Sequence, residues 1–200
     1  MIKILAIEEI KQVLYSVIGE VGREKIQNEL ALDITSSRKY IDLIIGNFIR
    51  RLASESNDYV IDDDDDYVSG IIIPTLSEAL LHFMLTICTL PSERKITIIN
   101  DLGLDIVVPN LRSLQTKPEK SIIVQIIKTD VEFSNLSKLE SLQPIHKNIW
   151  LISAKAYSSR KYTTYQVLSN AESYNKYSNI IIDIHNFLKE AGDKSFRFVH

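Results

Sequence analysis

The stretch SIIVQIIK, residues Ser121–Lys128, is almost continuously apolar between two polar ends. A run of this kind, rich in β-branched side chains, is typical of a strand buried on both faces at the centre of a sheet. Two shorter runs of the same character lie on either side of it, LDIVV at Leu104–Val108 and IWLIS at Ile149–Ser153. These runs predict the core of a mixed α/β domain.

Other elements are predicted before and between these three strands. Ser77–Leu90 is predicted as a helix between two prolines, and Ile96–Ile99 as a short strand. Leu136–Gln143 is predicted as a short helix, and the polar segment Asn110–Lys120 as a loop. The order from Ser77 to the last core strand is therefore helix, three strands, helix and strand, in the pattern αβββαβ.

The residues after the last core strand are predicted to be mainly helical. Thr163–Glu190 has a helical pattern with a break near Asn175–Asn179, and Ser195–Val199 is predicted as a terminal strand. Before them, KAYSSRKYTTY interleaves basic residues with tyrosines, a combination that can bind phosphates and stack on bases. The alternative is that the tyrosines complete the core while the cations face water. The candidate nucleic-acid contacts in this stretch are Arg160, Lys161 and Tyr162.

Three helices are predicted in the first third of the chain. They cover Glu8–Glu20, Arg23–Leu30 and Ser36–Ala53, and Thr35 is the predicted N-cap of the third. The segment REKIQNELALDITSSRKYIDLII, residues 23–45, resembles the core of a winged helix-turn-helix.

That resemblance implies that the start of the third helix contacts nucleic acid. The alternative is a plain three-helix bundle used for protein contacts. The short polar or basic side chains at the start of the third helix are Ser36, Ser37, Arg38 and Lys39.

An acidic segment separates the first third from the rest. Two β-prone runs bracket five aspartates at Asp62–Asp66, so the segment is predicted to be a wing hairpin facing away from DNA or an acidic linker. It lacks the glycine and terminal glutamate of an EF-hand loop, which argues against a calcium site. The expected division is a helix-turn-helix over residues 1–56, a wing or linker over 57–73 and an α/β domain over 74–200.

Composition restricts the classes of protein to consider. The 200 residues carry a net charge of −3, which does not by itself indicate a nucleic-acid partner, although residues 145–200 hold eight cations against four carboxylates. Cys88 is the single cysteine and is expected to be a small buried side chain, as suits a reducing, cytoplasmic compartment. No secretory signal or membrane span is expected. Thirty-one isoleucines against eight alanines favour an AT-rich genome, such as that of some archaea, their viruses (an archaeal or viral source) or some bacteria.

Three scattered polar residues give the α/β part a possible chemistry. Asp105 is on the second predicted strand, Lys128 ends the third strand 23 residues later, and Glu78 lies on the preceding helix. With the αβββαβ order, these positions resemble the PD-(D/E)XK nuclease superfamily, which includes Holliday-junction resolvases and many restriction enzymes. The resemblance implies that Asp105 and Glu78 hold Mg²⁺ and that Lys128 positions or deprotonates the attacking water.

The sequence departs from that family pattern at one place. The residue two before Lys128, which should be a metal ligand on the same strand face, is Ile126. Gln125 is the polar candidate, but it would point to the opposite face unless a β-bulge shifts the register. Three alternatives therefore stay open: an active Mg²⁺-dependent DNA endonuclease, the same fold without catalysis, or another α/β fold. In the last case Asp105 is only a strand-end residue and Lys128 only a solvated strand terminus.

Three functions are consistent with these observations. The first is a nucleic-acid-binding protein with a nuclease-like fold that acts on double-stranded DNA, for which a homodimer is one option. The second is a DNA-binding transcriptional regulator whose α/β domain dimerises or senses a ligand. The third is a protein-interaction module without a nucleic-acid partner. The four histidines lack metal-ligand spacing, and phosphate-binding glycine loops are absent from the sequence.

Overall fold

The computed structural model describes residues 6–55, 68–98, 102–128, 136–154, 157–168 and 175–192. The acidic segment Asp62–Asp66 and the predicted terminal strand Ser195–Val199 lie outside these ranges. The helices of the described residues are α1 (Ile7–Val21), α2 (Arg23–Leu32), α3 (Ser37–Glu55), α4 (Ile73–Ile87), α5 (Leu111–Thr116), α6 (Leu136–Leu142) and α7 (Ile180–Glu190).

The strands of the described residues form one mixed sheet in sequence order. The first three strands pair antiparallel, and each later strand pairs parallel to the one before it. The mixed α/β prediction is confirmed, and the three long apolar runs are the adjacent strands β2, β3 and β4. The strands are β1 (Glu93–Ile98), β2 (Leu102–Val108), β3 (Ile122–Ile126), β4 (Ile149–Ser153), β5 (Thr163–Gln166) and β6 (Asn175–Lys176).

Two predicted segments differ from the structure. The helix expected at Thr163–Glu190 is wrong in its first part, because β5 and β6 extend the sheet there. Among the described residues of this segment, the helical ones are the 3-10 turn Tyr177–Asn179 and those of α7. The sequence TTYQ of β5 has β-branched and aromatic side chains that suit a strand, and Tyr165 is buried. The loop expected at Asn110–Lys120 contains α5, whose first turn is capped by the Asn110 side chain accepting from the Ser113 amide at 2.8 Å.

The sheet separates two hydrophobic clusters. On one face, Ile106, Val124 and Ile126 pack with the apolar sides of α1, α3, α4 and α7. On the other face, Ile123 and Leu151 pack with α5 and α6. Side chains alternate between the two clusters along β3, as the pleat of a doubly buried strand requires.

The three N-terminal helices do not have a core of their own. The cluster that contains Leu14 of α1 and Phe48 of α3 continues without a break through α4 to the sheet. Residues 6–55 therefore share their core with the described residues of the α/β part. The approach to α3 also differs from the prediction. A 3-10 turn, Ile34–Ser36, precedes α3, and Asp33 caps this turn by accepting from the Thr35 amide at 2.9 Å.

Helix α4 is the central helix of the first cluster. It continues from a π-helical turn at Val68–Ile72, and together they give one apolar stretch, Gly70–Ile87, that has the length and hydropathy of a membrane span. This stretch is longer than the helix predicted from the sequence, which begins only at Ser77. It is 56% buried inside the protein, as a core helix is. Cys88 at its end is buried as predicted, and burial raises the pKa of its thiol to about 12.

The shared core generates a test of cooperativity. Leu14→Ala in α1 is expected to lower the free energy of unfolding by about 2–5 kcal/mol, because the fully buried side chain leaves a cavity. Since Trp150, the single tryptophan, lies in β4, its fluorescence should report this loss during urea unfolding. The matched control is Glu24→Ala on the exposed side of α2. If residues 1–56 folded independently, the Trp150 transition would stay where it is in the unmodified protein.

Candidate functional site

Strands β2 and β3 separate at the pair formed by Asp105 and Gln125. Their backbone pairing runs from Val108 opposite Ile122 to Ile106 opposite Val124 and then stops. Beyond that point, side chains bridge the two strands. The Asp105 carboxylate accepts from the Ile126 amide at 2.8 Å, and the Gln125 side-chain oxygen accepts from the Asp105 amide at 3.4 Å. Asp105 is therefore held in place by the backbone of the neighbouring strand.

The same point marks a change of face along β1 and β2. Ile96 and its partner Leu104 pack in the second cluster, whereas Ile106, the partner of Arg94, packs in the first. Regular alternation would keep positions two apart on one face. The change occurs at Lys95, whose φ of 48° lies in the left-handed region. Such local distortions re-aim side chains, and here they direct Arg94 towards α4.

The structure brings together the three residues that the sequence selected. The ammonium nitrogen of Lys128 lies 3.8 Å from a carboxylate oxygen of Asp105 and 3.9 Å from one of Glu78. Glu78 comes from α4, Asp105 from β2, and Lys128 from the residues that follow β3. The side chains of both acids are 15% exposed, so the group lies in a partly desolvated cleft.

The departure from the family pattern has a structural counterpart. Ile126 is 1% exposed and belongs to the core beneath α4, so this position supplies no metal ligand. Gln125 is bound to the Asp105 backbone instead. Within the described part of the chain, no group of three His, Cys, Asp or Glu side chains could hold a metal ion. Glu78 and Asp105 nevertheless provide two carboxylates, which is the oxygen-donor chemistry that Mg²⁺ accepts.

A pocket of about 450 Å³ opens beside these residues, between α1, the start of α4 and β1. We call it the site pocket. Its glutamate, Glu78, lies 3.5 Å from Arg94 and 3.4 Å from Lys95 in addition to Lys128. Gly70 forms part of the wall, where a Cβ would come within 3.4 Å of the Lys128 carbonyl oxygen. Among the described residues, the cationic side chains that line the site pocket are Lys11, Arg94, Lys95 and Lys128.

This excess of cations suits a polyanion. Lys11 is bound to Glu8 at 2.7 Å, and this hydrogen bond is the main reason that its pKa is raised, so it stays charged. Burial, and next the charge of Arg94, lower the pKa of His82, so its imidazole is neutral at pH 7. Sequence reasoning missed Lys11, Arg94 and Lys95. The only available signal was the consecutive basic pair at 94–95, directly before an apolar run.

The predicted recognition residues of α3 lie elsewhere. Ser37 is fully buried, so its predicted contact with nucleic acid is wrong, because the start of α3 packs against the turn Tyr177–Asn179. Arg38 donates to the Asn179 side chain at 2.6 Å, and Lys39 pairs with Glu29 at 3.3 Å.

Ser36 is half-buried in the turn before α3. The described residues show no winged helix-turn-helix, and most of the proposed wing falls outside them.

The candidates near β5 are also remote from the site pocket. Lys161 and Tyr162 both bind the carboxylate of Glu140, and Tyr162 is 8% exposed in the second cluster. Burial, and then Glu140, raise the pKa of the Tyr162 hydroxyl. Tyr162 precedes β5, whereas Lys128 follows β3, so the two lie at opposite ends of parallel strands. The alternative that tyrosines complete the core applies to Tyr162 and Tyr165, which are both buried. Arg160 is exposed at that far end.

Comparisons with known proteins identify the fold. No protein-family model and no curated protein sequence matches the chain. The structure of metal-depleted Ecl18kI in complex with uncleaved, modified DNA superposes with a TM-score of 0.55 at 12% identity, covering 97% of this chain and 88% of that chain. The complex of the restriction endonuclease PspGI with substrate DNA superposes with a TM-score of 0.57 at 11% identity, covering 90% of this chain and 93% of that chain. The chain therefore has a restriction-endonuclease-like fold, and at these identities the likeness concerns the fold alone.

The bond from Asp105 to the Ile126 amide generates a stability prediction. Asp105→Ala is expected to lower the free energy of unfolding by about 1–3 kcal/mol, because it leaves a backbone amide unsatisfied where the strands separate. Asp105→Asn keeps an acceptor oxygen, so its free energy of unfolding should fall by less. Urea unfolding of both variants, with Asp42→Ala on the exposed side of α3 as control, measures the difference. An Asp105→Ala protein as stable as the unmodified one would show that this bond does not hold the strand junction.

Proposed function

We propose that this chain is a DNA-binding, metal-dependent nuclease that cleaves at the site pocket. The observation that carries the proposal is the convergence of Glu78, Asp105 and Lys128 on one point where β2 and β3 separate. These residues are far apart in the sequence and come from three elements. Their meeting in a cleft is the arrangement that hydrolysis of a phosphodiester requires.

The charge of the site pocket supports a phosphate backbone as the ligand. Among the described residues, four cationic side chains and one glutamate line the cavity. This local excess of positive charge favours binding of a polyanion, although the whole chain has a net charge of −3. Lys95 is 65% exposed, so it can reach a phosphate outside the cleft. Double-stranded DNA is the proposed substrate, in line with the DNA complexes of Ecl18kI and PspGI.

The catalytic roles follow from the same three residues. The carboxylates of Glu78 and Asp105 would hold Mg²⁺, which when bound lowers the pKa of a water molecule and offsets charge on the scissile phosphate. Lys128 lies next to both carboxylates, where its ammonium group can donate to the phosphate and to the attacking water. The backbone bond of Asp105 fixes its carboxylate before substrate arrives, which lowers the reorganisation needed for catalysis.

A second candidate is binding of the DNA backbone without cleavage. The observation that favours it is Ile126, a buried apolar side chain at the position where the family pattern places a metal ligand. In that case Arg94, Lys95 and Lys128 would neutralise Glu78, and the site pocket would hold a phosphate without hydrolysing it.

Cleavage of supercoiled plasmid in Mg²⁺ or Mn²⁺ tests the proposal. Glu78→Gln, Asp105→Asn and Lys128→Ala are each expected to slow cleavage by about 100-fold or more. The first two weaken the hold on the metal, and the third removes the ammonium group that would donate to the phosphate. Lys138→Ala, an exposed lysine of α6, should leave the rate unchanged. An unmodified protein that binds DNA but does not cleave it with either metal would contradict the nuclease proposal and favour the second candidate.

Salt dependence tests the phosphate contact separately from cleavage. Lys95→Asn keeps a residue that tolerates the left-handed backbone but removes the charge. In the absence of divalent metal, it is expected to reduce the slope of log K against log salt by about 0.9 for duplex DNA. Fluorescence anisotropy with a labelled duplex measures this slope, and Lys138→Ala is again the control. A slope that equals that of the unmodified protein would show that Lys95 does not contact the DNA backbone.

A further inference from the structure

We propose that the surface seam between α1 and α4 binds unpaired nucleotides of the same nucleic acid whose phosphate occupies the site pocket. This inference rests on the proposed function and adds a preference to it: among duplexes, those with a single-stranded end beside the bound phosphate bind most tightly. It starts from a second cavity of about 460 Å³ on the surface, which we call the apolar groove.

The apolar groove continues the site pocket in one direction. Tyr15 and His82 line both cavities. Along α1 the lining advances from Lys11 through Tyr15 to Gly19, and along α4 it advances from Glu78 through His82 to Thr86. The eight helical steps from residue 78 to residue 86 span about 12 Å, which is room for a few nucleotides beyond the bound phosphate.

The two cavities differ in chemistry. The site pocket is lined by cations, whereas Ile18, Phe83 and the ring of Tyr15 give the groove an apolar wall. Tyr15 is 51% exposed, so a large part of its ring is accessible. His82 is neutral at pH 7, because burial lowers its pKa, and adds a second flat ring without charge.

This chemistry selects unpaired bases over a closed duplex. A duplex keeps its base faces stacked inside and offers phosphates and sugars to a protein surface. Unpaired bases expose flat faces that stack on aromatic side chains with little dependence on sequence. Arg23, which follows Gly19 in the sequence, also lines the apolar groove. Its positive charge would attract the phosphates of the unpaired nucleotides.

Gly19 keeps the middle of the groove open. It lies within α1, where a glycine is less stable than an alanine. A Cβ at this position would meet nothing within 4 Å. A larger side chain at Gly19 therefore fits the helix but occupies the space assigned to the nucleotides.

The test compares two labelled duplexes of the same sequence, one blunt and one with a four-nucleotide single-stranded end. Binding is measured by anisotropy without divalent metal, and the readout is the ratio of the two dissociation constants. We expect about tenfold tighter binding of the tailed duplex, from stacking of the unpaired bases. Gly19→Leu should bring the ratio close to one. Gly46→Leu, at a glycine of α3 that also has open space around it, should keep the tenfold ratio.

Tyr15→Phe and Tyr15→Ala identify the contact. Tyr15→Phe retains the ring and should keep most of the preference, whereas Tyr15→Ala should lose it. Equal affinity of the unmodified protein for the two duplexes, or a preference that survives in Gly19→Leu, overturns this inference and leaves the proposed function standing. Failure to bind either duplex at low salt overturns both.

Discussion

The hydrogen bond between the Asp105 carboxylate and the Ile126 amide is the contact on which the rest of the site depends. It lies at the point where the backbone hydrogen bonds between β2 and β3 stop. There the Ile126 amide donates to a side-chain carboxylate in place of a backbone carbonyl. A central pair of strands can separate only if its freed amides find other partners, because buried unpaired amides are costly. Asp105 and Gln125 supply those partners reciprocally. The separation then leaves room for Lys128 and the start of α4 to meet the end of the sheet.

Charge balance gives the cleft its second constraint. Glu78 is mostly buried and is close to three cations, which offset the cost of taking its carboxylate out of water. The cations in turn exceed the carboxylates around the site pocket, so a bound phosphate would complete the balance. In this respect the site pocket differs from the cluster at the far end of the sheet. There Glu140 is bound by both Lys161 and Tyr162, and the hydrogen bond of Lys161, followed by that of Tyr162, lowers the pKa of Glu140.

The sequence was sufficient for the central strands because they follow from local patterns. Ile122, Val124 and Ile126 alternate into one cluster as a doubly buried strand requires. The expectation that Glu78, Asp105 and Lys128 meet came from matching the αβββαβ order to the resemblance with the PD-(D/E)XK superfamily. The sheet faces to which Arg94 and Lys95 point could not be predicted. They depend on the left-handed backbone of Lys95 in β1, a conformation that a glycine or an asparagine in the sequence would have indicated.

The predicted helix-turn-helix shows the other limit of sequence reasoning. The helix boundaries were close to those observed, but the pattern of α3 does not say what covers its first turn. Ser37 is a polar residue that looked exposed, and the turn Tyr177–Asn179, from the other end of the chain, buries it. Contacts between residues 140 positions apart leave no periodic signal. Likewise, TTYQ at β5 pairs with β4 only because the sheet already offers an edge.

Helix α1 connects stability to the proposed recognition of nucleic acid. Ile10 and Leu14 face the core, while Lys11 and Tyr15, one position later in each case, face the two cavities. Because an α-helix turns by about 100° per residue, neighbouring residues necessarily serve different surfaces. The core contacts of α1 therefore fix the positions of Lys11 and Tyr15 relative to Glu78 on α4. The N-terminal helices would act on a polyanion by forming one wall of the cleft, and for that role they have to share the core of the sheet.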